Sequence, residues 1–110
     1  MVDHAPTLDD VFHALADSTR RSMLRHLGGG ERTVSELAQP FSMSLAGASK
    51  HIKTLERAGL VSRTVKGRTH FVRLEPGPLG AADAWLRRYQ WYWTERLDTL
   101  EKLLIEEEKP

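Results

Sequence analysis

The residues whose types and spacing could do chemistry here are cations. In the segment 44–57, SLAGASKHIKTLER, a helical pitch of about 100° per residue puts Leu45, Ala48, Ile52 and Leu55 on one face and Lys50 almost opposite. Ala46, Gly47, Lys53, Thr54 and Arg57 flank Lys50, and Ser49 and His51 lie at the two edges. Very small residues at the amino end followed by cations suit a helix whose first turn enters a major groove while the remainder approaches phosphates. Further cations, Arg63, Lys66 and Arg68, follow on a β-rich stretch. The competing reading is an ordinary amphipathic helix with solvated lysines, so the surrounding elements must decide.

Other chemistries find little material. The chain has no Cys, which removes soft metal ligands and thiol redox sensing. Its five histidines, His4, His13, His26, His51 and His70, show no HxH or HxxxH spacing, and residues 71–110 contain none. Only His4 or His13 with Asp9 or Asp10 could gather as a stray metal site, so no metal and no cofactor are expected. Gly28-Gly29-Gly30-Glu31-Arg32 lacks the spacing and the Lys of a phosphate loop, and Asp9-Asp10 reads as a helix start. No enzymatic function is expected.

The formal net charge of +1 over 110 residues conceals a partition. Residues 1–17 carry −4, residues 18–73 carry +8 and residues 74–110 carry −3. Regular Leu, Val and Ile inside the basic stretch place that charge on a folded surface, where a concentrated positive field points to a polyanion. No apolar run is long enough to span a bilayer, so the expectation is one soluble cytoplasmic domain over 1–110 with no membrane partner.

The elements that must position the cations follow from caps and breakers. Thr7 with Asp9 and Asp10 starts a helix bearing Leu8, Val11, Phe12 and Leu15 on one face. A second helix starts at Asp17 or Ser18 and ends at the three glycines. Thr33 and Glu36 fit a capping box that opens a short third helix, stopped by Pro40. Ser44 caps a fourth, from Leu45 to about Arg57, closed by Ala58-Gly59. The runs 60–65 and 69–74, separated by Lys66-Gly67-Arg68, read as a hairpin with a basic tip. After Pro76-Gly77-Pro78 an uninterrupted helical pattern continues from about Leu79 to Glu108, roughly 42 Å of helix. The fold class is therefore mostly α: a winged helix-turn-helix of four helices, a two-stranded β wing and a long C-terminal helix.

At these residues the chain resembles the arsenic-repressor (ArsR/SmtB) family of bacterial transcription regulators. The resemblance runs through Phe12-His13-Ala14-Leu15-Ala16-Asp17-Ser18-Thr19-Arg20-Arg21, through Thr33-Val34-Ser35-Glu36-Leu37-Ala38, and through SLAGASKHIKTLERAGLV from Ser44 to Val61. It implies a dimeric repressor in which Ser44, Ser49, Lys50 and His51 contact double-stranded DNA at an operator while Arg63, Lys66 and Arg68 grip the flanking backbone. Ala46-Gly47-Ala48 is smaller than the triplet familiar in this family, and Gly47 weakens a helix by about 1 kcal/mol relative to Ala. Either the fit to DNA is close or the helix firms up on binding.

Five of the eight aromatic residues, Trp85, Tyr89, Trp91, Tyr92 and Trp93, fall on the last helical pattern. A stripe through Ala82, Leu86, Tyr89, Trp93, Leu97, Leu100 and Leu104 keeps a spacing of three or four, widened by Trp85, Tyr92 and Leu103. One small domain cannot cover it. A homodimer formed through 7–17 and 79–105, with Leu8, Val11, Phe12, Leu15, Trp85, Tyr89, Trp93, Leu97 and Leu100 at the interface, would. The sharper alternative makes the aromatics a pocket for a small-molecule effector. Three functional readings result: a metal-independent repressor on a palindromic operator, the same repressor released by an organic or metal ligand, and a winged-helix protein–protein adaptor, which would not require the +8 stretch.

Overall fold

Every helix start but the last two is written in the side chains that begin it. In the computed structural model, which describes residues 6–108, α1 (Leu8–Leu15) opens on a capping box: Asp10 N donates to Thr7 Oγ1 at 3.1 Å and Thr7 N to Asp10 Oδ2 at 3.0 Å. Asp17 caps α2 (Ser18–Leu27) by accepting from Arg20 N at 3.0 Å. Thr33 and Glu36 cap α3 (Val34–Ala38) reciprocally, each bond 3.1 Å long. A 3-10 turn over Gln39–Phe41 and the left-handed Ser42 (φ 51°) lead to Ser44, whose Oγ accepts from Gly47 N at 3.0 Å and starts α4 (Leu45–Arg57).

α4 runs into the hairpin of β2 (Val61–Lys66) and β3 (Thr69–Leu74) through Gly59, whose φ of 74° suits glycine. A Cβ there would stand 2.9 Å from Pro6 Cγ and 3.3 Å from Pro78 Cγ, so the turn is also closed in by side chains. Arg32–Thr33 form β1 and pair with Val72 and Phe71. The wing is thus a three-stranded antiparallel sheet of order β1-β3-β2, one short strand more than the sequence pattern predicts. That strand is set by a partner some forty residues away, which local pattern does not encode.

Met23, Leu37, Ile52, Leu55, Leu60, Val11 and Val72 fill one core between the four helices and the sheet, and among the described residues no polar side chain is buried with them. Two expectations need correcting here. Leu45 belongs to the predicted apolar face but is 57% exposed, because it occupies the first helical position, beyond the reach of the core that Ala48, Ile52 and Leu55 enter. The predicted continuous last helix is two: α5 (Gly77–Arg87) and α6 (Gln90–Glu108). At the junction Arg88 N bonds Trp85 O at 3.3 Å and Tyr89 N bonds Leu86 O at 3.0 Å, the tight spacing of a 3-10 turn. Tyr89, Trp91, Tyr92 and Trp93 crowd this junction, and aromatic side chains lose rotamer freedom against the preceding helical turn.

α5 docks on α1, with Ala82 buried and Phe12 edge-on to Trp85. α6 contributes no buried residue and extends the molecule to 70 Å. The radius of gyration of 19.3 Å exceeds the about 13 Å of a compact chain of this length. Among the described residues no helix is long and apolar enough to cross a membrane.

Candidate nucleic-acid interface

The helix-turn-helix and the wing share one open groove, lined by Val34 and Ser35 of α3, Ala46 and Ser49 of α4, and Arg63, Arg68 and His70 of the wing. Two local features build it. The left-handed Ser42 turns the chain so that α4 starts beside the amino end of α3, and the small residues at 46–48 leave the first turn of α4 slim. A Cβ on Gly47 would approach Ser44 Oγ to 3.3 Å, so the glycine keeps the cap uncrowded. At the wing tip Gly67 takes φ 64° with nothing within 4 Å of its would-be Cβ, the position of a two-residue hairpin turn that projects into solvent.

The sequence-predicted nucleic-acid contacts divide into two groups. Ser44, Ala46, Lys50, Lys53 and Arg57 are exposed on α4, with Gly47, Ser49 and Thr54 half-buried beside them, and Lys66 and Arg68 are exposed on the wing. Among the described residues none of these five lysines and arginines forms an ion pair, leaving their charge for an outside anion. The Lys66 ammonium Nζ stands 5.4 Å from the centroid of the Phe71 ring, a cation–π contact at the charged end of the side chain.

His51 and Arg63 are already engaged within the fold. His51 Nδ1 lies 3.3 Å from Arg20 Nη1 and 4.0 Å from Asp17 Oδ1. Arg63 bonds Glu56 and His70 at the foot of the wing. Sequence reading missed Arg20, whose guanidinium also donates to Ala14 O at 2.8 Å and His13 O at 3.0 Å, tying α1, α2 and α4 together. Three arginines on one helix, at 20, 21 and 25, concealed it, since nothing local distinguishes the one that reaches α4.

Two helix-start carboxylates, Asp17 and Glu36, are held below their ordinary values. The Arg20 backbone N–H, then the charges of Arg20 and His51, lower Asp17 against the opposing effect of partial burial. The backbone and hydroxyl of Thr33 lower Glu36.

The second expected surface lies at the other end of the molecule. Trp85, Leu86, Tyr89, Trp93, Leu97 and Leu100 are all exposed, Leu97 at 64%. Leu8, Phe12 and Leu15 are half-buried against the core. Val11 is 2% exposed and Ala82 4%, so these two pack inside their own chain and stand behind the apolar surface without forming part of it. Among the described residues no group of three His, Asp or Glu side chains is gathered to hold a metal ion, and His4 lies outside the described residues.

Comparison with known proteins gives the same architecture a family. A helix-turn-helix domain family matches residues 15–64. HTH-type transcriptional regulator Rv2034 of Mycobacterium tuberculosis is 34% identical over 99 residues, covering 90% of both chains. Transcriptional repressor SdpR of Bacillus subtilis is 30% identical over 82 residues, 74% of this chain and 91% of that protein. Among solved structures, an ArsR family transcriptional regulator superposes with a TM-score of 0.73 at 44% identity, over 79% of this chain and 96% of that one. The homodimeric winged helix-turn-helix DNA-binding domain of a possible ArsR-family regulator from Mycobacterium bovis gives 0.62 at 27% identity, over 81% and 82%. With its capped α3–α4 pair, basic wing and extended last helix, the chain belongs to the ArsR-like winged helix-turn-helix family of DNA-binding transcriptional regulators.

Proposed function

We propose that the protein is a homodimeric repressor that binds an imperfect palindromic operator, working without a metal, in the cytoplasm and with no catalytic activity. The observation that carries this reading is the set Lys50, Lys53, Arg57, Lys66 and Arg68, exposed and unpaired around a groove whose α4 edge begins with small residues. Two copies related by a two-fold axis would place their α4 helices in successive major grooves about 34 Å apart. Bound there, the dimer would block RNA polymerase at an overlapping promoter. SdpR, a repressor by name, and the homodimeric Mycobacterium bovis domain support the repressor and dimer parts of the reading. With no Cys in the chain and no ligand set gathered among the described residues, control by the protein's own abundance is the simplest regulation.

A second reading has its own observation: Trp85, Leu86, Tyr89, Tyr92 and Trp93 line one open apolar groove. An organic effector seated there would release DNA only by as much as it prefers the non-binding arrangement of the two α4 helices. The deciding experiment is selection of bound duplexes from a random pool. A recovered inverted repeat with half-sites one turn apart supports the proposal, and recovery of no common sequence overturns it. A protein-binding adaptor would give the second result.

A further inference from the structure

Beside the core packing of Val61 and Val72 with Ile52 and Leu55, one side chain hydrogen-bonds the recognition helix α4 to the wing. Arg63, on β2, donates through Nη2 to Glu56 Oε1 on α4 at 2.5 Å, and its Nη1 lies 3.2 Å from His70 Nδ1 on β3. A single guanidinium therefore spans α4 and both strands of the hairpin. Its side chain keeps 16% of its exposure and its Nε is buried with no hydrogen-bond partner. Its bonds to Glu56 and to His70 run to two different elements, so together they restrain the guanidinium in two directions.

The clasp sits where a small rotation matters most. Arg63 stands opposite the core residue Val72, at the foot of the hairpin, while Lys66 and Arg68 are at its tip. At a strand rise of about 3.3 Å per residue the tip is roughly 10–13 Å away, so a tilt of about 10° at the foot moves it by about 2 Å. That displacement is enough to take a cation out of hydrogen-bond range of a phosphate oxygen. Moving Arg63 itself onto a phosphate would instead break its pair with Glu56 and leave that carboxylate facing the polyanion.

We propose that Arg63 is a positioning residue: with Glu56 and His70 it fixes the wing's angle to the recognition helix, so that Lys66 and Arg68 meet the phosphates. The inference rests on the DNA-binding reading above.

The test uses duplexes of random sequence, about 30 base pairs long, titrated by fluorescence anisotropy over a series of KCl concentrations. Glu56→Ala keeps a strong helix former in α4 and removes a negative charge, which by electrostatics alone would tighten binding. The clasp requires the opposite, about five-fold weaker binding. Arg68→Ala should lower the salt slope by about one in the otherwise unchanged protein and by much less beside Glu56→Ala, because a wing without its clasp has already lost that contact. Unchanged or tighter binding by Glu56→Ala, or the full loss of slope in the double variant, overturns the proposal. In the free protein, amides 64–71 should exchange faster in Glu56→Ala while those of Ile52 and Leu55 keep their protection, and equal wing exchange also overturns it. Should the unaltered protein bind no duplex even at low salt, the DNA reading itself fails, and the exchange result alone decides whether the clasp exists.

Discussion

Phe12 meets Trp85 edge to face, ring centroids 5.7 Å apart at 71°, and so fastens the amino-terminal helix to the helix that leads into α6. Each chain thereby assembles its own platform of α1 and α5 before any partner arrives. The leucines beyond the 88–89 turn have no such cover within the chain.

Leu97→Glu should therefore convert the protein to a monomer without unfolding the winged core. The substitution is duplicated across a two-fold seam, where each buried, unpaired carboxylate carries a desolvation cost of several kcal/mol. Light scattering with size exclusion at micromolar concentration reads the mass. A dimer that survives Leu97→Glu, or an unaltered protein that is itself monomeric, would remove α6 from the interface.

Lys50→Ala and Arg68→Ala should fail differently. If Lys50 meets a base edge, its loss costs roughly 1–3 kcal/mol on the selected operator and relaxes base preference. Arg68→Ala should weaken all duplexes alike and lower the salt slope by about one. An equal loss on every sequence for both variants would reduce Lys50 to a phosphate contact.

The parts of this fold that a reader of the sequence can find are those decided within a helical turn. The pairs Thr33–Glu36 and Ser44–Gly47 are three residues apart, and each fixes a helix start by chemistry visible in the chain. The hairpin register and the exposed cations of α4 follow from periodicity in the same way. What stayed hidden depends on distant partners. Arg32–Thr33 become a strand only because β3 passes beside them, and His51 turns toward Arg20 from another helix. Arg63 looked like one more wing cation because its partners Glu56 and His70 lie on other elements. The break at 88–89 is a case of local aromatic crowding set against a periodic pattern that continues straight through it.

Asp17→Ala should cost about 1 kcal/mol, the usual worth of an N-cap. Because the folded protein holds the Asp17 carboxyl below its ordinary 3.8, the stability it contributes is present above that pH and is lost as pH falls through the lower folded value. The gap in denaturation midpoint between the unaltered protein and Asp17→Ala should accordingly be largest near neutrality and narrow below pH 3.8. A gap that stays constant or widens on acidification would mean that the carboxylate is not the capping species.

Gly59→Ala should destabilise by about 1–2 kcal/mol, since the substitution forces a left-handed backbone on a residue with a Cβ. The new methyl would also meet Pro6 Cγ at 2.9 Å, so the proline ring or the start of β2 must shift. Thermal unfolding of the two proteins side by side reads the difference. A neutral result would show that the 58–60 turn is free to relax.

Metal independence has the plainest readout, because the reporters are already in place. Trp85 and Trp93 lie on the apolar surface that a change at the dimer seam would disturb, and Tyr89 and Tyr92 stand among them. Zn(II), Ni(II) and Cu(I) at a few equivalents should change neither tryptophan fluorescence nor operator affinity: the chain has no thiolate, and α5 and α6 carry no His. A metal can release DNA only through a preference for the non-binding arrangement, which requires ligands that are closer together in that arrangement than in this one. The nearest material for such a site is His13 on α1 with Asp9 and Asp10, together with His4, which precedes the described residues. Loss of operator binding with any one of the three ions, abolished by His13→Ala, would overturn the metal-independent reading and place the sensor at the amino-terminal helix.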